Sequence, residues 1–211
     1  MSEEGLDAET LLQACLLSEI REQCVWAFYH FARMEENIGA SKSSPPPSDP
    51  DAAARWLLYR SLVYAEAQAF LTCVAIVDGV IEGGVPPPRG IERLSDETRK
   101  SLRQRLDLAD DFEMPGRRQR NGLIHIAERI IPWSKPGHMR GDFYTGDIRT
   151  VPKNLAEETL RALDFDTLRL AVLGDDCDLR EVRRTLERVF AGTSRAQDAI
   201  GKELESQERT Q

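Results

Sequence analysis

The stretch from Asp51 to Glu82 limits this chain more than any other. Trp56, Tyr59, Leu62, Val63, Phe70, Cys73, Val77 and Ile81 recur at helical spacing and cover a wide apolar face. Asp49 and Asp51 stand at its start, where a helix carries partial positive charge. Gly83-Gly84 and then Pro86-Pro87-Pro88 stop it, because proline lacks the amide hydrogen and clashes with the preceding turn. A helix this long and this apolar must be covered by other helices, so the pattern predicts the central member of a bundle. Arg60, Glu66, Gln68 and Asp78 break the apolar run, and no transmembrane span is expected.

The rest of the chain supplies candidates for the cover. From about residue 9 to 38, Leu12, Leu16, Ile20, Ala27, Phe28 and Phe31 mark one face of a first helix, with Gly39 as its expected stop. Residues 40–50 are Ser/Pro-rich and lack the apolar side chains that offset ordering entropy, which predicts an exposed connection. Ser95-Asp96-Glu97-Thr98 predicts a capped start to a short third helix, on which Leu102 and Leu106 share a face. Pro115 opens a fourth helix, about 116–131, with Leu123, Ala127, Ile130 and Ile131 on its core side and Pro132 as its end.

Residues 132–177 are rich in Gly and Pro and read as an irregular insertion. Within it Thr167–Leu170 alternates like a strand, with Asp147–Val151 as a hairpin partner, while Leu155–Leu163 also fits a short helix. Asp178-Leu179-Arg180-Glu181 resembles a capping box and starts a last helix along Leu179, Val182, Leu186, Val189 and Phe190. After Gly192 the chain turns polar, and residues 193–211 read as a frayed or partly helical tail anchored only by Ile200 and Leu204. The expected fold is all-α, an up-and-down bundle of about five helices in one domain over 1–192. An irregular or small β-hairpin insertion separates the motif helix from the last helix.

The formal charge of −8 argues against a protein coated in nucleic acid but leaves room for one basic site. Cys15, Cys24, Cys73 and Cys177 have no zinc-like spacing and read as buried reduced thiols. No metal and no cofactor is expected. The acidic start carries no signal region, which points to the cytoplasm.

One stretch carries chemistry: Arg117-Arg118-Gln119-Arg120-Asn121-Gly122-Leu123-Ile124-His125. On a helix Asn121 and His125 lie one turn apart on one face, and the long side chain of Arg120 reaches toward it. Gly122 suits a close approach by another backbone or a phosphate. Arg117, Arg118, Arg120, Arg129, Lys135, Arg140, Arg149 and Lys153 outnumber Glu128, Asp142 and Asp147, so the segment is basic within an acidic protein. Histidine transfers protons near neutral pH, and arginine stays charged and grips phosphate with paired hydrogen bonds. Those are the parts that RNA cleavage without metal requires. Phe143 and Tyr144, in the adjoining loop, are candidates for base stacking or for packing. His138 is a looser candidate for the same cleft. His30, between Tyr29 and Phe31, reads as a satisfied histidine at the core edge.

Arg120-Asn121-x-x-x-His125 resembles the R-x(4–6)-H signature of HEPN domains, helical bundles many of which are metal-independent endoribonucleases. The resemblance implies Arg120, Asn121 and His125 as catalytic residues, with Arg117, Arg118 and Arg129 gripping RNA. It also implies a homodimer in which two motifs converge and leave a 2′,3′-cyclic phosphate. A role as a toxin or phage-defence component, held by a neutralising antitoxin protein, belongs to the same expectation. Some members carry a modifiable tyrosine two residues after the histidine; here that position is Ala127, so that control is not implied. The alternative is a catalytically inactive helical-bundle interaction module, favoured by the acidic charge and the long insertion. No G-x-S-x-G motif is present, and Gly83-Gly84-Val85-Pro86 lacks the lysine and serine of a phosphate-binding loop.

Overall fold

The structure, a computed structural model, describes residues 8–43, 50–83, 94–124, 144–145, 161–172 and 175–208. The fold is an all-α bundle with a small sheet inserted before the last helix. The described helices are α1 (Ala8–Ser43), α2 (Pro50–Glu82), α3 (Asp96–Arg105), α4 (Arg117–Ile124) and α5 (Leu179–Glu208). The strands are β1 (Tyr144–Thr145), β2 (Arg161–Leu163), β3 (Arg169–Val172) and β4 (Asp175–Asp178), in the order β1-β2-β3-β4. β1 runs parallel to β2, while β2, β3 and β4 are antiparallel.

The chain forms two compact units, and α1, α2 and α5 each contribute to both. One comprises residues 1–26, 73–114 and 185–211; Leu17, Ile20, Val77, Ile81, Leu102, Leu106, Leu186 and Val189 are sealed in its interior. Ser95 caps α3 as its sequence predicts, its hydroxyl accepting from the Thr98 amide at 3.0 Å. The α3 helix is tied to α1 by Gln13 Nε2 donating to Ser101 Oγ at 2.9 Å. It is tied to α5 by Arg105, whose two terminal nitrogens donate to the two oxygens of Glu203 at 3.0 and 3.1 Å.

Gly192 does not end the last helix. It sits where α5 passes so close to the α3 cap that a Cβ would lie 2.6 Å from the Leu106 carbonyl oxygen. The helix continues to Glu208 because Ala196 and Ile200 are buried beyond it. The same unit holds Cys24 and Cys73, both buried; burial, and then the neighbouring Cys73 thiol, pushes the Cys24 thiol up to about 12. Cys15 departs from the expectation of buried thiols, because its position on α1 is exposed.

The other unit comprises residues 27–72 and 115–184. Phe31 and Phe70 meet edge to face at 5.3 Å in its core, with Met34, Leu71, Leu163, Leu170 and Leu179 buried alongside. Gly39 is a misplaced stop: its position is exposed, nothing lies within 4 Å of a Cβ there, and α1 runs on to Ser43. Ile38 and Ser41 are buried on that last turn, and Ser43 Oγ donates to the Gly39 carbonyl at 2.9 Å.

The insertion is more regular than its sequence suggests. Leu170, Ala171 and Val172 of β3 are all buried, so the strand is covered on both faces and shows no alternation. Its partners are β2 and β4; the expected partner 147–151 lies outside the described residues, and Arg161–Leu163 is a strand rather than helix. The turn between β2 and β3 is held by Asp164, whose Oδ1 accepts from the amides of Asp166 at 2.8 Å and Thr167 at 3.1 Å. That turn lets buried Leu168 take a left-handed φ of 56°. Its carbonyl then accepts from the first amide of α5 at 3.0 Å. Asp178 completes the start of α5 by accepting from the Arg180 amide at 2.8 Å, as its sequence predicts.

Among the described residues α2 is the one helix long and apolar enough to cross a membrane, and 56% of its most apolar window is buried inside the protein. That burial fits a core helix.

Candidate functional site

The motif segment is placed by a glycine. Gly116 adopts a φ of +90°, and a Cβ there would lie 3.1 Å from Leu71 and 3.3 Å from Val182. The chain turns at that point and α4 begins, with the Arg120 amide donating to the Gly116 carbonyl at 3.0 Å. The α4 helix packs against β3 and β4. Gln119 is buried, while Arg117 and Arg118 are exposed on the first turn.

Arg120 and Asn121 are half-buried and bonded to each other, Arg120 Nη1 donating to Asn121 Oδ1 at 2.7 Å. Successive helical residues do not face one another, so the contact is made by the long arginine side chain sweeping round, as its length permits. The bond occupies the amide oxygen of Asn121 and leaves its NH2 as a donor. Arg120 Nε is buried without a hydrogen-bond partner. The pair therefore carries more donors than acceptors, with no carboxylate in it, which suits an anion with several oxygens. It is also a composition that disfavours a metal cation. Among the described residues no group of three or more His, Cys, Asp or Glu is arranged to hold a metal ion.

His125, Arg129, His138 and Phe143 lie outside the described residues, as do Ala127, Ile130 and Ile131. Tyr144, expected in a loop, belongs to β1, where its backbone pairs with Ala162. His30 is accounted for: its Nδ1 lies 2.7 Å from Glu66 Oε2, with both side chains mostly covered. An imidazole so engaged has a structural partner already.

Linear reading missed the acidic neighbour of α4. Asp175, Asp176 and Asp178 are carried to it by β4, the strand on which α4 packs. Low strand propensity hides β4 in the sequence; only its pairing with β3, Leu170 opposite Cys177 and Val172 opposite Asp175, makes it a strand. Asp176 bonds the Arg169 guanidinium, which that hydrogen bond holds more firmly charged. Cys177, between the carboxylates, has its thiol pushed up to about 12 by burial and then by Asp176 and Asp178. The α4 helix thus packs on a strand that carries three aspartates, a charge pattern that the run of residues 115–155 does not include.

The chain matches no family model, no curated protein and no solved structure. The functional reading therefore stands on the motif and on the geometry of α4 alone.

Proposed function

We propose that the protein is a metal-independent endoribonuclease whose site is completed by a second copy, with a toxin or phage-defence role and a neutralising protein as the biological setting. The observation that carries the reading is the Arg120–Asn121 pair: two half-buried side chains bonded at 2.7 Å, with a buried guanidinium nitrogen still unpartnered. Such a pair grips a phosphate through donors from both residues. His125, one helical turn beyond Asn121 in sequence, supplies the group that moves a proton between the ribose 2′-OH and the leaving 5′-oxygen. Arg117 and Arg118 on the first turn, with Arg129, draw the RNA backbone toward that point. Attack by the 2′-oxygen on phosphorus breaks the bond to the 5′-oxygen and leaves a 2′,3′-cyclic phosphate.

The test is cleavage of single-stranded RNA in EDTA by the wild type, Arg120→Ala and His125→Ala, each checked for unchanged helical circular dichroism. Cleavage by the wild type alone is expected. Cleavage that needs added metal, or that survives both substitutions, overturns the reading. A second reading, an inactive interaction module, is favoured by the acidic β4 strand beside α4, because those carboxylates oppose RNA at the same helix.

A further inference from the structure

The α2 helix has a second surface that the core does not use. Between Leu57 and Thr72 every exposed position is uncharged: Leu57, Leu58 and Leu62, then Ser61, Ala65, Gln68 and Thr72. Leu57 is 58% exposed and Leu58 56%. In a chain with 30% charged residues a solvated helix face would carry lysine and glutamate, as the outer face of α1 does at Arg33 and Glu36. The positions also have an order. Leu58, Leu62, Ala65, Ala69 and Thr72 follow at steps of four, three, four and three, the seam spacing of two helices packed side by side.

We propose that this strip pairs antiparallel with the same strip of a second copy, across a twofold axis at the level of Val63 and Tyr64. That register sets Leu58 against the partner's Ala69 and Leu62 against the partner's Ala65. The two Leu–Ala layers on either side of the axis then keep the helices evenly separated and leave no gap at the alanines, while Thr72 meets Arg55 of the second copy at each end of the seam. Parallel pairing would stack leucine on leucine and alanine on alanine, forcing the helices apart at one level and opening a void at the next. A surface that matches itself after a half-turn closes at two copies. Charge favours the same place: copies with a net charge of −8 repel, and an uncharged strip is where they meet at least cost. No residue of the Arg120–His125 motif lies in the seam, so the inference stands apart from the nuclease reading and survives its failure.

Sedimentation equilibrium of the full chain tests the pairing, and cysteine cross-linking tests its direction. The wild type is expected to be a dimer, and Leu58→Glu with Leu62→Glu a monomer of unchanged helical content. In a Cys15→Ser background, Leu58→Cys oxidised alone stays uncross-linked. Its mates lie ~16 Å apart along the helices, beyond the ~7 Å that a disulfide spans. Mixed with Ala69→Cys protein it forms a cross-linked dimer. A wild-type monomer at all concentrations overturns the proposal, as does a dimer that tolerates both glutamates. So does self-cross-linking of Leu58→Cys, which would mark parallel pairing. Flotation of monomeric wild type with phosphatidylcholine–phosphatidylglycerol vesicles would assign the strip to lipid instead.

Discussion

The arginines of α4 and the leucines of α2 belong to one unit, yet their surroundings are set in opposite ways. The strand on which α4 packs carries Asp175, Asp176 and Asp178, which are distant in the chain and enter through strand pairing. The exposed strip of α2 owes its character to one helix and its own repeat, with Leu57 and Leu58 more than half exposed. Charge counted along a sequence therefore overlooks the strand beneath α4, whereas periodicity along a helix finds the bounds of α2 though not the exposure of Leu62. The difference is one of range: a helical face is fixed by neighbours three and four residues away, a sheet by partners that no local pattern names.

Breaking the support beneath α4 has the largest expected effect. Leu170 is fully buried in β3, the strand on which α4 packs, and Leu170→Ala should cost about 2–5 kcal/mol in urea unfolding. A near-neutral result would mean that the sheet is no platform for the motif helix. Gly116→Ala forces a side chain into a φ of +90° and against Leu71 and Val182, and should cost about 1–3 kcal/mol. Gly39→Ala sharpens that contrast, since α1 has open space there and should gain up to ~1 kcal/mol in thermal melts.

Removing carboxylates tests the charge half of the comparison. Asp175→Asn with Asp176→Asn should tighten binding to a single-stranded RNA severalfold at low salt and make it fall more steeply with salt, read by fluorescence anisotropy. Unchanged affinity would show that β4 does not temper the arginines. The smallest effect on stability is expected on α2: at a dilution where the chain is monomeric, Leu58→Gln should shift the unfolding free energy by no more than about 0.5 kcal/mol. A larger loss would place Leu58 in the core rather than in a seam between copies.

The parts of the fold that local chemistry dictates were legible in the chain. Ser95 and Asp178 cap α3 and α5 because an oxygen one residue before a helix can reach its free amides, whatever packs around it. The expected bounds of α2 hold to within a residue, because a wide apolar face ends at Gly83. Gly39 misled because glycine stops some helices and, in others, is passed over or admits a neighbour. Which applies depends on what comes close, and the Leu106 carbonyl does so only at Gly192. Of the site, the reach of Arg120 toward the face of Asn121 followed from its length, whereas the bond between the two was not expected. The acids of β4 did not, since a strand of Asp-Asp-Cys-Asp exists only through its partner. Leu62 was assigned to the core with the rest of its face, yet it is 36% exposed, and that excess of apolar surface is what the α2 seam explains.

The most direct measurement is the chemistry of RNA ends after incubation with pure protein and excess EDTA, followed by mass spectrometry. The account predicts fragments ending in 2′,3′-cyclic phosphate from the wild type and intact RNA from His125→Ala. Fragments that form only with added metal, or that appear equally with His125→Ala, would contradict it.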